Sequence, residues 1–299
     1  MTPLSPLCDP LMSEPASPPA PRFGTLVIAG VGLIGGSIAA AARLRQLADR
    51  IVGIGRTESR LAGAVNAGLI DEGSTSVAAA AEADFAVVCT PVDRICTDVR
   101  ALAEVLAPDA LITDAGSTKQ LVCEELADLC GADGPAFIGS HPLAGSQLQG
   151  FEHSDPTLFQ DRVCVVTPTD SAQPTQARRV EQFWRELGST VVRRTPGEHD
   201  RALARTSHLP HLVAAALAGT LQTDDVELAA SGFRDTTRIA AGDPGLWVPI
   251  LTQNARPVQD ALEELQARLR EFADSLQHDD PSALQKLLEE AKRQRDGLG

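Results

Sequence analysis

Five of the six histidines fall between His141 and His211. An imidazole changes charge near neutral pH, so such clustering points to proton transfer or ligand hydrogen bonding. His141 follows the apolar run Ala136 to Gly139 and is flanked by small residues, Pro142, Ala144 and Gly145, that leave room for a ligand. A neutral imidazole there can take the proton of a substrate hydroxyl while hydride leaves the same carbon. The alternative is a histidine that caps a loop, and position alone leaves both open. His208 and His211 are three apart and can share a helical face, as ligand contacts or as helix packing. No H-E-x-x-H pattern accompanies them, and a third ligand is missing, so no metal is expected. Asp235 and Arg238 lie one helical turn apart. The carboxylate could orient the guanidinium for bidentate capture of a substrate carboxylate; the alternative is a surface ion pair of little worth.

These groups need a scaffold, and Thr25 to Ala42 (TLVIAGVGLIGGSIAAAA) supplies its start. It reads as a buried strand, a glycine turn and an Ala-rich helix. Gly30, Gly32 and Gly35 stand in the G-x-G-x-x-G spacing of dinucleotide-binding folds; the alternative is a glycine-containing βα turn of any α/β protein, and the strand before and Ala-rich helix after favour dinucleotide binding. Gly30, Gly32, Leu33, Ile34 and Gly35 are the expected pyrophosphate cradle at a helix N-terminus. The next strand, Ile51 to Ile54, ends in Gly55-Arg56 with no carboxylate at the usual ribose-binding position. An arginine there suits the 2′-phosphate of NADP, where NAD enzymes carry an acid. Arg56 is therefore read as a cofactor residue that favours NADP over NAD, the alternative being a solvated loop charge.

Further apolar runs end in polar clusters: Asp84 to Cys89 into Thr90-Pro91, Leu111 to Thr113 into DAGSTK with Ser117, and Ala136 to Gly139 into His141. Open α/β sheets place their ligands on this rim, and Thr90 and Pro91 join the cofactor set. Val163 to Val166 and Thr190 to Val192 read as the last strands. Beyond Pro196 strand-like runs vanish. The expected architecture is an α/β, doubly wound, mainly parallel sheet over residues 23–194, followed by an all-α substrate and dimerisation domain over 195–299. Within the latter, Leu262, Leu265, Leu269, Phe272 and Leu276 recur at spacings of 3, 4, 3 and 4, a stripe for helix packing. Residues 1–22 hold seven prolines without a basic start or an apolar block, and are expected to be a disordered tail and no secretory signal.

At 299 residues and 43% apolar content the chain can bury two cores. Its net charge of −14 argues against nucleic-acid or anionic-membrane partners. No uncharged apolar run is long enough to span a bilayer. Six scattered cysteines without a C-x-x-C pair read as reduced thiols of a cytoplasmic protein.

Taken in order, VIAGVGLIGGS, DAGSTK, GSHPLAGS, SHLPH, GFRDTTRIA and DPGLW resemble the prephenate/arogenate dehydrogenase family of tyrosine biosynthesis. The resemblance implies a Rossmann domain joined to a helical domain that forms most of a homodimer interface. It also implies oxidative decarboxylation of prephenate or arogenate with hydride transfer to NAD or NADP. By resemblance, His141 is the catalytic histidine and Ser117 the serine that assists it. His208 and His211 line the substrate pocket, Arg238 binds a substrate carboxylate, and Asp235 is its acidic neighbour. Gln147 stands where many prephenate-specific members carry a glutamate, a departure that bears on substrate preference. Too little chain follows the last helix, Pro281 to Arg295, for the regulatory domain of some relatives. Two rival classes share parts of this plan. A β-hydroxyacid or 6-phosphogluconate-type dehydrogenase needs a catalytic lysine early in the second domain, and His199 to Leu221 contains none. A non-catalytic cofactor sensor would show a broken His141, Ser117 or Arg238 position, and all three are intact.

Overall fold

In a computed structural model of the chain, residues 23–130, 134–145 and 148–298 are described. The proline-rich segment 1–22 and Gln147 lie outside them. Eight strands form one sheet in the order β3-β2-β1-β4-β5-β6-β7-β8. They are β1 (Phe23–Ala29), β2 (Ala48–Ile54), β3 (Glu72–Ser74), β4 (Phe85–Val88), β5 (Leu111–Asp114), β6 (Ala136–Pro142), β7 (Val163–Thr167) and β8 (Thr190–Arg193). Every pairing is parallel except β6 with β7. The mainly parallel, doubly wound sheet expected from the buried apolar runs is therefore present. The polar strand β3 had no such signal.

Helices cover both faces of the sheet. Residues from α1 (Leu33–Leu44), α2 (Glu58–Asn66) and α5 (Pro174–Glu186) join one core cluster, with Phe85 set between Phe23 and Phe183 at 4.7 Å from each ring. Residues from α3 (Ile95–Ala103) and α4 (Gln120–Glu125) join the other. Each fully buried large side chain of this kind contributes about 1.5–3 kcal/mol of transfer free energy. The β1–α1 turn needs its glycines: Gly30 has φ +97°, and a Cβ there would lie 2.9 Å from the Cys89 backbone. A Cβ on Gly35 would lie 2.2 Å from the Gly30 carbonyl oxygen, so α1 could not seat against the strand.

From Pro196 onward, among the described residues, the chain is helical. Thr195 and Glu198 form a capping box at the start of α6 (Pro196–Leu203), with Pro196 in the first turn. A π-helical turn, Ala204–His208, then leads into α7 (Leu209–Ala218). Pro210 lacks an N–H and crowds the carbonyl four residues earlier, so a widened turn at this point fits the sequence. α8 (Ser231–Thr237), a tight turn at Arg238–Ala241, α9 (Pro244–Gln253), α10 (Ala255–Gln277) and α11 (Pro281–Asp296) complete the domain. α9 docks on the sheet domain through buried Ile250. The helical domain's own core is small, centred on Ala204, Val258 and Ala261. Leu269 and Leu276 of the α10 stripe remain 56% and 67% exposed.

Candidate active site

The dinucleotide cleft lies at the carboxyl ends of β1, β2 and β4 and encloses about 410 Å³. Gly30, Gly32, Arg56, Thr57, Thr90 and Pro91 are among its lining residues. A Cβ on Gly32 would meet nothing within 4 Å; the space beside its backbone is open, as close approach of a pyrophosphate requires. Leu33 and Ile34 open α1, so their N–H groups are among the helix donors without an intrahelical acceptor. The Thr90 hydroxyl is buried with no hydrogen-bond partner among the described residues. These features fit a bound dinucleotide. Arg56 and Arg60 line the cleft near the end of β2, and among the described residues no acidic side chain pairs with either. The loop after β6 reaches the same region, with Gly145 near Ile34.

His141 lies inside β6, one residue before its end, and not beyond the strand as its sequence position suggested. The parallel ladder with β5 stops at Ile138, and β6 then pairs antiparallel with β7, His141 opposite Val165. This change of partner prolongs the strand and gives the imidazole a rigid base. Beneath it, the Ser140 hydroxyl accepts from the Trp184 indole N–H (2.9 Å) and donates to the Asp114 carbonyl (2.6 Å). The Asp114 carboxylate accepts from the backbone amides of Ser140 (3.0 Å) and Gly116 (2.9 Å) and pairs with Lys119, both side chains fully buried. Every charge there is paired and hydrogen-bonded, as burial demands. The half-buried Ser117 lies in the loop between Asp114 and Lys119.

The helical domain brings the other groups to this wall. His141 Nδ1 is 2.9 Å from His199 Nε2, and His199 Nδ1 is 2.7 Å from Asp200 Oδ1. Asp200 also accepts from the backbone amides of Lys119 (2.8 Å) and Gln120 (2.9 Å). Asn254 donates from Nδ2 to the Asp200 carbonyl (2.8 Å) and lies 2.9 Å from His208 Nδ1. Thr118 donates to Gln253 Oε1 at 2.6 Å. His211 stacks on Trp247, ring centroids 3.6 Å apart and planes 11° apart.

Burial holds His141 well below the ordinary histidine range, with His199, Lys119 and His208 adding to the effect. Burial likewise lowers His199, in part offset by Asp200, depresses His208 to about 4 and lowers His211. Burial pushes the Asp200 carboxyl up, but the hydrogen bonds from His199, Gln120 and Lys119 outweigh it and hold it below its usual value. The site thus carries neutral imidazoles beside an ionised carboxylate.

One of the expected placements needs correction. Asp235 and Arg238 form no ion pair among the described residues: α8 ends at Thr237, and Arg238 opens the next turn, which packs on α7. Both are exposed. That turn ends beside Gly242, whose Cβ position would lie 2.6 Å from Trp247 Nε1 and 3.0 Å from His211 Cε1, so Arg238 stands a few residues from the His211–Trp247 stack. His208 and His211 both approach Trp247 but do not assemble a metal site; among the described residues no group of three or more His, Cys, Asp or Glu is placed to hold one. His199, Asp200, Asn254 and Trp247 went unassigned in the sequence. Only the histidine count and the DPGLW run hinted at two of them.

A family model described as "Prephenate dehydrogenase, nucleotide-binding domain" matches residues 38–193. A second, "Prephenate dehydrogenase, dimerization domain", matches residues 195–290. The chain is 35% identical over 287 residues to a prephenate dehydrogenase of Bacillus subtilis, covering 92% of this chain and 76% of that protein. The crystal structure of prephenate dehydrogenase from A. aeolicus, in complex with hydroxyphenyl propionate and NAD+, superposes with a TM-score of 0.87 at 31% identity, covering 92% and 98% of the two chains. Synechocystis arogenate dehydrogenase superposes with a TM-score of 0.79 at 31% identity, covering 92% and 100%. With both halves of the chain matched in order and the histidine site spanning them, this protein belongs to the prephenate dehydrogenase family.

Proposed function

We propose that the chain catalyses oxidative decarboxylation of prephenate or arogenate, using NADP at least as well as NAD. The observation that carries this reading is the buried His141 on β6, held below the ordinary histidine range, in a sheet that also carries a glycine-lined cleft whose shape suits a dinucleotide. A bound nicotinamide dinucleotide supplies the hydride acceptor. His141 takes the proton of the substrate's ring hydroxyl as the C4–H pair departs, and the O–H electrons form a carbonyl. Conjugation makes that carbonyl the sink for the C–C electron pair released when the ring carboxylate leaves as CO₂. The ring becomes aromatic, its oxygen takes a proton, and the step does not reverse. Ser117, in the loop anchored by Asp114 and Lys119, assists His141. His208 and His211 line the substrate pocket, with His211, braced by Trp247, towards the substrate's ring side. Arg238, free of any acidic partner among the described residues, captures a substrate carboxylate, with Asp235 as its neighbour in sequence, and Gln147 is assigned to substrate preference by the family pattern alone.

In this reading residues 23–194 hold the cofactor and residues 195–299 the substrate side and a dimer face. The exposed leucines of α10 support a homodimer; a solution mass of one chain would exclude it. Free thiols at Cys89, Cys96 and Cys164 suit a cytoplasmic setting. Among the described residues no helix is long and apolar enough to cross a membrane. Steady-state assays crossing prephenate and arogenate with NAD and NADP test the function. Turnover of at least one pair is expected, and inactivity with all four would reject it.

A further inference from the structure

Asp200 has an unusual set of partners. Its carboxylate holds His199 Nδ1 and two backbone amides of the segment that follows Ser117. Its carbonyl holds Asn254, which in turn holds His208. One residue of the helical domain therefore touches every branch of the histidine cluster except the His211–Trp247 stack.

The hydrogen-bond roles along these branches are forced. Asp200 is ionised and only accepts, so His199 Nδ1 carries a proton and donates to it. His199 is neutral, so its Nε2 has a lone pair, and the group 2.9 Å away must donate. His141 Nδ1 therefore carries the proton, and its Nε2 is bare. On the other branch, the Asp200 carbonyl only accepts, so the Asn254 group facing it is the NH₂. The same NH₂ faces His208 Nδ1, so that nitrogen accepts and His208 Nε2 carries the proton.

We propose that Asp200, through His199 and Asn254, is the positioning residue that sets His141 and His208 in opposite tautomers: His141 presents Nε2 as an acceptor, the form a base requires, and His208 presents Nε2–H as a donor. The same carboxylate fixes the Ser117 loop against the helical domain, so base tautomer and domain joint are set by one group. Proton uptake at His141 Nε2 leaves its Nδ1–H bonded to His199, whose other nitrogen remains tied to the Asp200 carboxylate, and the imidazolium is stabilised without any second proton moving. The charged and titratable groups around His141 are His199, Lys119 and His208, with Asp114 paired to Lys119 and the Cys164 thiol on neighbouring β7. None of these offers an alternative acceptor for the His141 Nδ1–H in the described structure.

The kinetic half of this inference rests on His141 being the base of the proposed reaction; the tautomers do not. ¹⁵N NMR of the full-length protein labelled at histidine reads them directly at neutral pH. His141 is expected to show a protonated Nδ1 and a pyridine-like Nε2, and His208 the reverse. A protonated Nε2 on His141 would overturn the proposal even in an active enzyme. For function, His199→Gln keeps the relay's pattern, because an amide oxygen can accept from His141 while its NH₂ donates to Asp200. His199→Leu breaks it. Relative to wild type, kcat should fall at least about 10²-fold in His199→Leu and about tenfold or less in His199→Gln, with the dinucleotide Kd the same in both. Equal losses in the two variants would overturn the relay. If wild type turns over none of the four substrate–cofactor pairs while the NMR pattern is as expected, the proposed reaction fails and the tautomer assignment stands.

Discussion

The imidazole of His211 lies flat on the indole of Trp247, with 3.6 Å between ring centroids. Trp247 comes from α9, which also anchors the helical domain to the sheet through Ile250. The stack therefore holds His211 at the seam of the two domains. His211 Nδ1 is buried with no partner among the described residues, which leaves the ring's orientation to the stack.

Gly242 is what permits that stack. A Cβ at this position would sit 2.6 Å from Trp247 Nε1 and 3.0 Å from His211 Cε1, while the backbone there is ordinary (φ −61°). Gly242→Ala should displace both rings without straining the chain. The expected outcome is a rise in substrate KM of about tenfold, a size set by roughly 1.4 kcal/mol of lost binding, with the dinucleotide Kd unchanged. Steady-state kinetics and a cofactor titration check it; an unaltered KM would mean His211 does not hold substrate.

His141→Asn should lower kcat by roughly 10²–10⁴-fold, the usual loss for a general base, while cofactor binding persists. Asparagine keeps a polar group in β6 and leaves the Ser140–Trp184 contact below it in place. Turnover within a few-fold of wild type would remove His141 from the mechanism.

The strands with buried apolar runs were legible in the sequence, as was the glycine turn, because each advertises itself within a few residues. Features made by distant partners were not. His141 belongs to β6 only because β7, more than twenty residues later, pairs antiparallel with it. β3 has the polar sequence Glu72-Gly73-Ser74 and exists through its pairing with β2. Apart from the adjacent pair His199–Asp200, the Asp200 network joins residues 46 to 81 positions apart along the chain. The spacing of Asp235 and Arg238 promised an ion pair on one helix, but the helix ends between them. Local patterns carry elements, whereas hydrogen-bonded polar networks depend on tertiary placement.

The depressed histidines make two pH effects. As the proposed base His141 must be neutral, and burial holds it well below the ordinary histidine range, so kcat/KM should hold level from pH 8 to below 6.5 and fall only at lower pH. Stability follows His208. Its folded value of about 4 lies below the ordinary histidine value of about 6.5, so between these values the unfolded chain binds more protons. The stabilisation is complete above pH 6.5 and is lost as pH falls through the window to about 4. His208→Gln removes this titration, and its Tm should decline less steeply across the window. Parallel Tm–pH curves for wild type and variant would show that His208 does not set the slope.

Arg238→Ala should raise substrate KM strongly and lower kcat less, because a carboxylate clamp acts largely on ground-state binding. The guanidinium has no acidic partner among the described residues, so its removal should leave Tm nearly unchanged. Asp235→Asn is then expected to have a smaller effect than Arg238→Ala, since no ion pair joins the two. An unchanged KM for both prephenate and arogenate would reduce Arg238 to a surface charge.

Cofactor choice turns on the end of β2. Gly55 leaves no carboxylate to take two hydrogen bonds from an adenosine ribose, and none to repel a 2′-phosphate. Arg56, Thr57 and Arg60 line the cleft at this end, and neither arginine is held by an acid among the described residues. A charge-assisted hydrogen bond from Arg56 to the phosphate contributes about 1.5–3 kcal/mol, or roughly ten- to a hundredfold in affinity. Arg56→Ala should therefore weaken NADP binding by that factor and spare NAD, and Arg60→Ala should act in the same direction if both arginines reach the phosphate. Because the interaction is ionic and partly exposed, the NADP advantage should also shrink as salt is raised. Isothermal titration of both dinucleotides against wild type and Arg56→Ala decides the matter. If wild type binds NAD more tightly and the substitution weakens both cofactors alike, Arg56 is a loop charge and the preference for NADP is wrong.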